Sequence, residues 1–273
     1  MLIIKGVDIN LKDTICCGQI FRYYEEDDDS YTVILSDRIV NLKMDDSNLI
    51  VLSDNYDKLE EIIRDYLDLN RDYDSINEML LKNDENLKDI INYSKGFKIM
   101  HTPKLETYIS YILSQNNGVP QIRNSLNLIS EKCGEKKKFN GKIYYLFPSL
   151  ENLKKLTVED FHECKCGFRD KYLYGFIKEI NKSFNLDEVD NLNSNDALKY
   201  LMNVKGIGLK VASCILLFAY QRFDVFPVDT WVKKYFKTNN VKYIENYSKE
   251  KWKGYSALVI QYIFNYSRNK VKN

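Results

Sequence analysis

The sequence lacks paired cysteines. Its six, Cys16, Cys17, Cys133, Cys164, Cys166 and Cys214, contain no C-x-x-C, and Cys164-Lys-Cys166 is one residue too tight for one. This spacing excludes the usual zinc sites and predicts reduced thiols and no metal; no organic cofactor is expected either. Long apolar runs are also missing. The longest largely apolar stretch, Val211 to Tyr220, is far short of the ~20 residues that cross a bilayer, and the N-terminus offers only Leu2-Ile3-Ile4 before Lys5. A soluble, intracellular, cytoplasmic protein is expected, without a membrane partner. Internal repeats are absent, and the acidic stretch Glu25 to Asp29 is the one biased segment.

Net charge is nearly absent too, at +1 over 273 residues, but it hides an asymmetry. Residues 1–95 carry 11 Lys and Arg against 22 Asp and Glu, whereas residues 96–273 carry 29 against 17. The basic part is the one that would touch a polyanion. With 44% hydrophobic residues, the chain can build two modest domains or one large one.

What is present centres on Ala197 to Trp231. Ala197 to Asn203 has helical spacing, Val204-Lys205-Gly206-Ile207-Gly208 turns the chain around an apolar plug, and Leu209 to Tyr220 resumes helical spacing. This is a helix-hairpin-helix. Gly206 and Gly208 let the backbone adopt conformations closed to other residues, so hairpin amides and the following helix start can face one anion, such as a nucleic-acid phosphate. Lys210 falls in the first turn of that helix, where the positive helix end and removal from water disfavour its protonated form and favour a nucleophilic amine. Cys214 and Phe218 follow at i+4 and i+8 on the same face, so the amine is expected to share its pocket with a thiol and a ring. Asp229, after Pro227, is placed to cap the helix that begins at Thr230. A first-turn lysine also suits a solvated charge or a phosphate contact, and an aspartate before a helix suits a cap alone. The joint pattern favours chemistry.

Val204-Lys-Gly-Ile-Gly-Leu-Lys-Val-Ala-Ser-Cys, followed by Pro227-Val-Asp, resembles the signature of the helix-hairpin-helix 8-oxoguanine DNA glycosylase/lyases. The resemblance implies Lys210 as nucleophile and Asp229 as its electrostatic partner. No four-cysteine cluster follows the hairpin, unlike the iron–sulfur relatives of this superfamily.

Residues 1–55 read as strands in an antiparallel meander. Tyr31 to Leu35 and Arg38 to Leu42 are joined at Ser36-Asp37, Leu49 to Leu52 follows, and a helix over Asp57 to Leu69 covers one face. Cys17-Gly-Gln-Ile-Phe-Arg22 resembles the family's Gly-Gln-x-Phe-Arg, which implies that the carbonyl of Gly18 accepts a hydrogen bond from N7–H of the damaged base. Undamaged guanine has an acceptor at N7 and would repel that carbonyl.

From Asn86 onward the pattern is helical, with Thr102 read as N-cap and Pro103 as first turn of a helix that ends at Ser114-Gln-Asn-Asn-Gly118. Asn116 and Asn117 resemble the family's asparagine cluster at the vacated base position. Lys136-Lys-Lys138 reads as a solvated loop, and Thr157-Val-Glu-Asp160 as a capping-box helix start. Gly167-Phe-Arg169 resembles the family's Gly-Tyr-Arg, which implies that Phe168 and Arg169 enter the space left by an everted nucleotide.

The last helix, Tyr255 to Arg268, buries Tyr255, Leu258, Val259, Tyr262 and Ile263, with Ile260 and Phe264 on another face. Phe264 matches the family's base-stacking phenylalanine. Three departures stand out. Ile260 replaces a base-reading glutamine, with Gln261 about 100° away around the helix. Gln121 replaces the arginine that reads the opposite cytosine, implying relaxed opposite-base discrimination. Trp231 replaces a histidine beside the catalytic aspartate.

The expected architecture is α+β. Residues 1–95 form an N-terminal antiparallel α+β domain, similar to the TATA-binding-protein-like domain of this family, and residues 96–273 form an all-α helix-hairpin-helix glycosylase domain. The expected function is a monomeric, bifunctional base-excision-repair enzyme acting on double-stranded DNA that contains an oxidised guanine. A helix-hairpin-helix glycosylase for another damaged base, or a noncatalytic DNA-binding module, are the alternatives.

Overall fold

The computed structural model describes residues 1–228 and 230–270; Asp229 lies outside the described residues. The chain opens with strand β1 (Leu2–Ile4), helix α1 (Leu11–Cys16) and strands β2 (Tyr23–Glu25), β3 (Tyr31–Ile34), β4 (Ile39–Asp45) and β5 (Asn48–Ser53). Helices α2 (Leu59–Tyr66), α3 (Tyr73–Asn83), α4 (Lys88–Tyr93), α5 (Lys104–Leu113) and α6 (Val119–Cys133) follow, then a hairpin of β6 (Lys136–Phe139) and β7 (Lys142–Tyr145). The remainder is helical: α7 (Leu150–Leu153), α8 (Val158–Glu163), α9 (Asp170–Glu179), α10 (Glu188–Asn191), α11 (Ser194–Met202), α12 (Leu209–Tyr220), α13 (Thr230–Tyr235), α14 (Val241–Lys251) and α15 (Ser256–Lys270).

The first five strands form one antiparallel sheet in the order β1-β5-β4-β3-β2. Register follows the apolar pattern, since Leu42 lies opposite Val51 and both are fully buried. Val33, Val40 and Leu49 join them in a core closed by Ile15 of α1 and Ile63 of α2. A second, larger core unites α3 to α15, with α12 at its centre; every residue of α12 from Val211 to Tyr220 is buried. An antiparallel sheet followed by a mostly helical region is the α+β architecture expected. Among the described residues, no helix is long and apolar enough to cross a membrane.

Three segments differ from the sequence reading. Residues 11–16 are a helix rather than a strand, capped by Asn10, whose side chain accepts from the Asp13 amide at 2.9 Å. The helical region is not all-α, because Lys136–Lys138 belongs to β6 and pairs with β7 around Asn140 and Gly141, both at positive φ (47° and 77°). Pro103, rather than Thr102, takes the cap position of α5; the Thr102 hydroxyl instead lies 2.6 Å from that of Thr107. The capping box of α8 is present, with Thr157 and Asp160 bonded reciprocally.

Candidate active site

The hairpin between α11 and α12 forms as its sequence dictates. Val204 and Ile207 are buried plugs, and the Ile207 amide donates to the Val204 carbonyl at 3.0 Å. The two glycines have different reasons to be there. Gly206 has φ +92°, and a Cβ on it would stand 2.8 Å from the Tyr172 ring, so both backbone and packing demand glycine. Gly208 has an ordinary φ of −91° and no atom within 4 Å of a built Cβ. The expectation that both need forbidden backbone is corrected for Gly208, which leaves open space at the helix start.

Lys210 is the second residue of α12 and is exposed, so the protein's own packing does not supply the expected desolvation. Cys214 is buried (5% exposed) one turn below it. Phe218 is 1% exposed and stacks on Tyr111, with ring centroids 5.4 Å apart and planes within 11°. Its expected role as open pocket lining is therefore corrected: it is a core residue backing Tyr111. Ile260, also 1% exposed, is likewise packed in the core and offers no surface to a base.

Gly18 has φ +94° and open space where a Cβ would be. Its loop is pinned by the buried Gln19, whose Nε2 donates to the Lys98 carbonyl at 2.8 Å while its Oε1 accepts from the Met100 amide at 2.9 Å. Arg22, buried, donates to Glu106 of α5 at 3.4 Å and to the Tyr145 carbonyl. Burial pushes the Glu106 carboxyl above the usual carboxylate range, even beside Arg22. The glutamine and arginine of this segment are thus anchors that hold the glycine carbonyl in place.

Phe264 is half-buried, and the Arg268 guanidinium lies 6.0 Å from its ring centroid. A cavity of about 270 Å³ opens beside Arg268, bounded also by Lys12, Asp13, Cys16, Cys17, Tyr23, Glu25 and Asn265. Cys17 precedes Gly18 and Asn265 follows Phe264 in the chain, so the cavity is lined by the sequence neighbours of the two residues expected to hold the base, though not by those residues themselves. Burial pushes the thiols of Cys16 and Cys17 up to about 11 and about 12, which keeps them neutral at physiological pH. Among the described residues no group of three His, Cys, Asp or Glu is placed to hold a metal.

A second cluster faces outward. The Phe168 ring is 57% exposed, and its edge meets Tyr172, which itself packs under Gly206, so Phe168 and the hairpin are joined through one ring. Arg169 is a correction. It is 6% exposed, and its guanidinium donates to the carbonyls of Gln115, Asn116 (2.9 Å) and Cys166 (3.2 Å). Four of its five N–H donors are taken by these carbonyls, three of them on the 115–117 turn, so it is held in the fold and does not enter a vacated base position. On that turn Asn116 is exposed at φ +47°. Asn117 instead closes α5, donating to the Leu113 carbonyl at 3.0 Å and accepting from the Gly118 amide at 3.0 Å. Gln121 is exposed and its amide folds back toward Gly118.

The sequence reading missed Tyr111, Tyr172 and Arg268. Tyr111 sits inside a continuous apolar stripe, and Tyr172 and Arg268 gain their meaning from partners far away in sequence.

A sheet domain joined to a helix-hairpin-helix with a lysine at its second helix start is the architecture of a DNA glycosylase. Residues 1–108 match the family model described as 8-oxoguanine DNA glycosylase, N-terminal domain. The chain is 36% identical to MBOgg1, solved in complex with a low-affinity DNA ligand, with a TM-score of 0.93 over 98% of this chain and 96% of that one. It is 34% identical to the Clostridium acetobutylicum 8-oxoguanine glycosylase/lyase solved with double-stranded DNA containing cytosine opposite 8-oxoguanine, with a TM-score of 0.91 over 99% of each chain. The probable N-glycosylase/DNA lyase of Methanothermobacter thermautotrophicus is 25% identical over 211 residues, 68% of each protein. The chain belongs to the 8-oxoguanine DNA glycosylase/lyase family, and its enzyme class is DNA N-glycosylase with lyase activity.

Proposed function

We propose that this enzyme excises 8-oxoguanine from duplex DNA through a Schiff base on Lys210 and then cleaves the abasic strand by β-elimination. The lesion nucleotide is everted past Phe168, which fills part of the gap and offsets unstacking. Its base lodges between Cys214 and Phe264, with N7–H donated to the Gly18 carbonyl. Lys210 Nζ attacks C1′ as the C1′–N9 bond breaks, and the base leaves with a proton. Asp229, the expected electrostatic partner, stabilises the positive charge that develops on the sugar. The C1′–O4′ bond then opens, O4′ taking up a proton as the amine nitrogen forms the C=N bond, and this imine acidifies the C2′ proton; its removal expels the 3′ phosphate with the C3′–O bond electrons.

The observation that carries this reading is Lys210 itself: an exposed amine in the first turn of α12, two residues beyond Gly208, where backbone can be approached. The buried, apolar Ile260 favours a second reading, in which the enzyme removes another damaged base that needs no amide on its polar edge.

Borohydride trapping tests both. Duplexes with 8-oxoguanine opposite each of the four bases are incubated with the protein and with Lys210→Gln. A trapped adduct that disappears in the variant supports Lys210 as nucleophile, and its pattern across the four duplexes tests relaxed discrimination by Gln121. DNA binding with no adduct on any duplex would sink the Schiff-base reading.

A further inference from the structure

Position 260 cannot read the base. Its isoleucine is 1% exposed and apolar, which leaves the carbonyl oxygens of an oxidised guanine without a donor from that position of α15. The next turns of the same helix face carry Phe264 and Arg268, at i+4 and i+8. Arg268 both bounds the cavity beside Cys17 and Asn265 and lies 6.0 Å from the ring centroid of Phe264. Its Nη1 donates to the Cys16 carbonyl at 3.4 Å, a long bond that occupies one of five guanidinium N–H donors. Asp13 and Glu25 border the same cavity, yet neither forms an ion pair with Arg268 among the described residues. The neighbouring thiols of Cys16 and Cys17 are held neutral by burial and do not compete for its charge.

We infer that Arg268 is a specificity-determining residue of this enzyme, its guanidinium donating to a carbonyl oxygen of the flipped oxidised guanine, O6 or O8, in place of the amide that Ile260 lacks. The inference rests on the reading that 8-oxoguanine is the substrate. A planar fork of donors suits a carbonyl edge. The contact with Cys16 anchors it next to Gly18, so one loop and one helix would read N7–H and a carbonyl together.

The test is single-turnover cleavage by the full-length protein, by Arg268→Met, which keeps length without donors, and by Arg268→Lys, which keeps charge without the fork. Substrates are duplexes with 8-oxoguanine, 8-oxoadenine, which replaces O6 by an amine and keeps O8, or a preformed abasic site. The readout is the rate of base excision divided by the rate of abasic-site cleavage. This ratio should fall roughly 10- to 100-fold in Arg268→Met, as for removal of a charged hydrogen bond, with Arg268→Lys between. A fall seen with both oxidised bases assigns O8 as the acceptor; a fall confined to 8-oxoguanine assigns O6. An unchanged ratio in a variant that melts like the parent overturns the inference. Equal slowing on all three substrates also overturns it, because it marks a phosphate contact. If the parent cleaves abasic sites but excises no 8-oxoguanine, the substrate reading itself fails and the inference falls with it.

Discussion

The hydroxyl of Tyr111 donates to the carbonyl of Gly18 at 3.4 Å, across 93 residues of sequence. The carbonyl of Gln19 lies at the same distance, and the ring below stacks on Phe218. One side chain of α5 thus connects the N-terminal loop to the helix that bears Lys210. Burial raises the phenol's pKa well above its ordinary value, so it remains a donor throughout the working pH range.

Tyr111→Phe keeps the stack and removes the donor. Its stability should fall by about 1 kcal/mol, the usual net value of such a bond. Tyr111→Ala also removes the ring and should cost about 3–5 kcal/mol. Thermal melting of the two variants checks the order. If Tyr111→Phe proves as damaging as Tyr111→Ala, the hydroxyl rather than the stack ties loop to helix.

The hairpin glycines offer a sharper contrast. Gly206→Ala places a methyl 2.8 Å from the Tyr172 ring at φ +92°, so the fold should lose of order 1–3 kcal/mol from backbone strain alone. Gly208→Ala meets nothing within 4 Å at an ordinary φ, so its stability should stay within about 0.5 kcal/mol of the parent. Its methyl nonetheless fills the space through which a phosphate would approach the hairpin amides, and duplex affinity should fall. Melting curves and DNA titrations on both variants separate the two roles. Equal destabilisation by the two alanines would refute the distinction.

The hairpin was legible because two glycines interrupt helical spacing at a fixed offset, a signal that local chemistry alone produces. The β3, β4 and β5 meander was legible for the same reason. Helix α1 was not, since six residues are too few for a helical period, and its formation depends on the Asn10 cap and on burying Leu11 and Ile15. The β6–β7 hairpin did carry a signal, the Asn140-Gly141 turn, but three lysines in a row outweighed it in the reading. Arg169 shows the limit of a motif. Gly-Phe-Arg locates the residue, yet only the tertiary fold brings the carbonyls of Gln115 and Asn116 around its guanidinium and takes it out of the solvent.

Charge in the segment that follows residue 229 in sequence should be felt in DNA binding. Lys233, Lys234 and Lys237 border an open basin of about 600 Å³ with Thr230, Thr238 and Asn239, and residues 230–254 hold seven lysines against two glutamates. None of the three forms an ion pair with a described carboxylate, and Lys234 rests 4.7 Å from the ring centroid of Trp231. Replacing all three by glutamine should flatten the dependence of log K on log salt by about 0.9 for each phosphate that a lysine no longer neutralises. Preference for damaged over undamaged duplex should hold, because backbone contacts carry no base information. A slope equal to the parent's would show that the duplex does not cross this basin.

Asp160 makes the fold's acid sensitivity testable at one carboxylate. Lys132 donates to it at 2.7 Å, and the Thr157 amide and hydroxyl each donate at 2.8 Å, which together hold its carboxyl down at about 2. A carboxyl depressed in the folded state adds stability above its unfolded value, near 3.8, and loses it as pH falls toward its folded one. Asp160→Asn keeps the shape of the capping box but discards the charge, so it should melt below the parent at neutral pH. Because the side chains of Asp160 and Lys132 both remain partly exposed, solvent screens the pair and the gap should be a few degrees at most. That gap should close between about pH 5 and pH 2, where the parent's own carboxylate becomes protonated. A gap of constant size across this range would trace the effect to the altered hydrogen-bond geometry of the cap, since only a charge effect can titrate away.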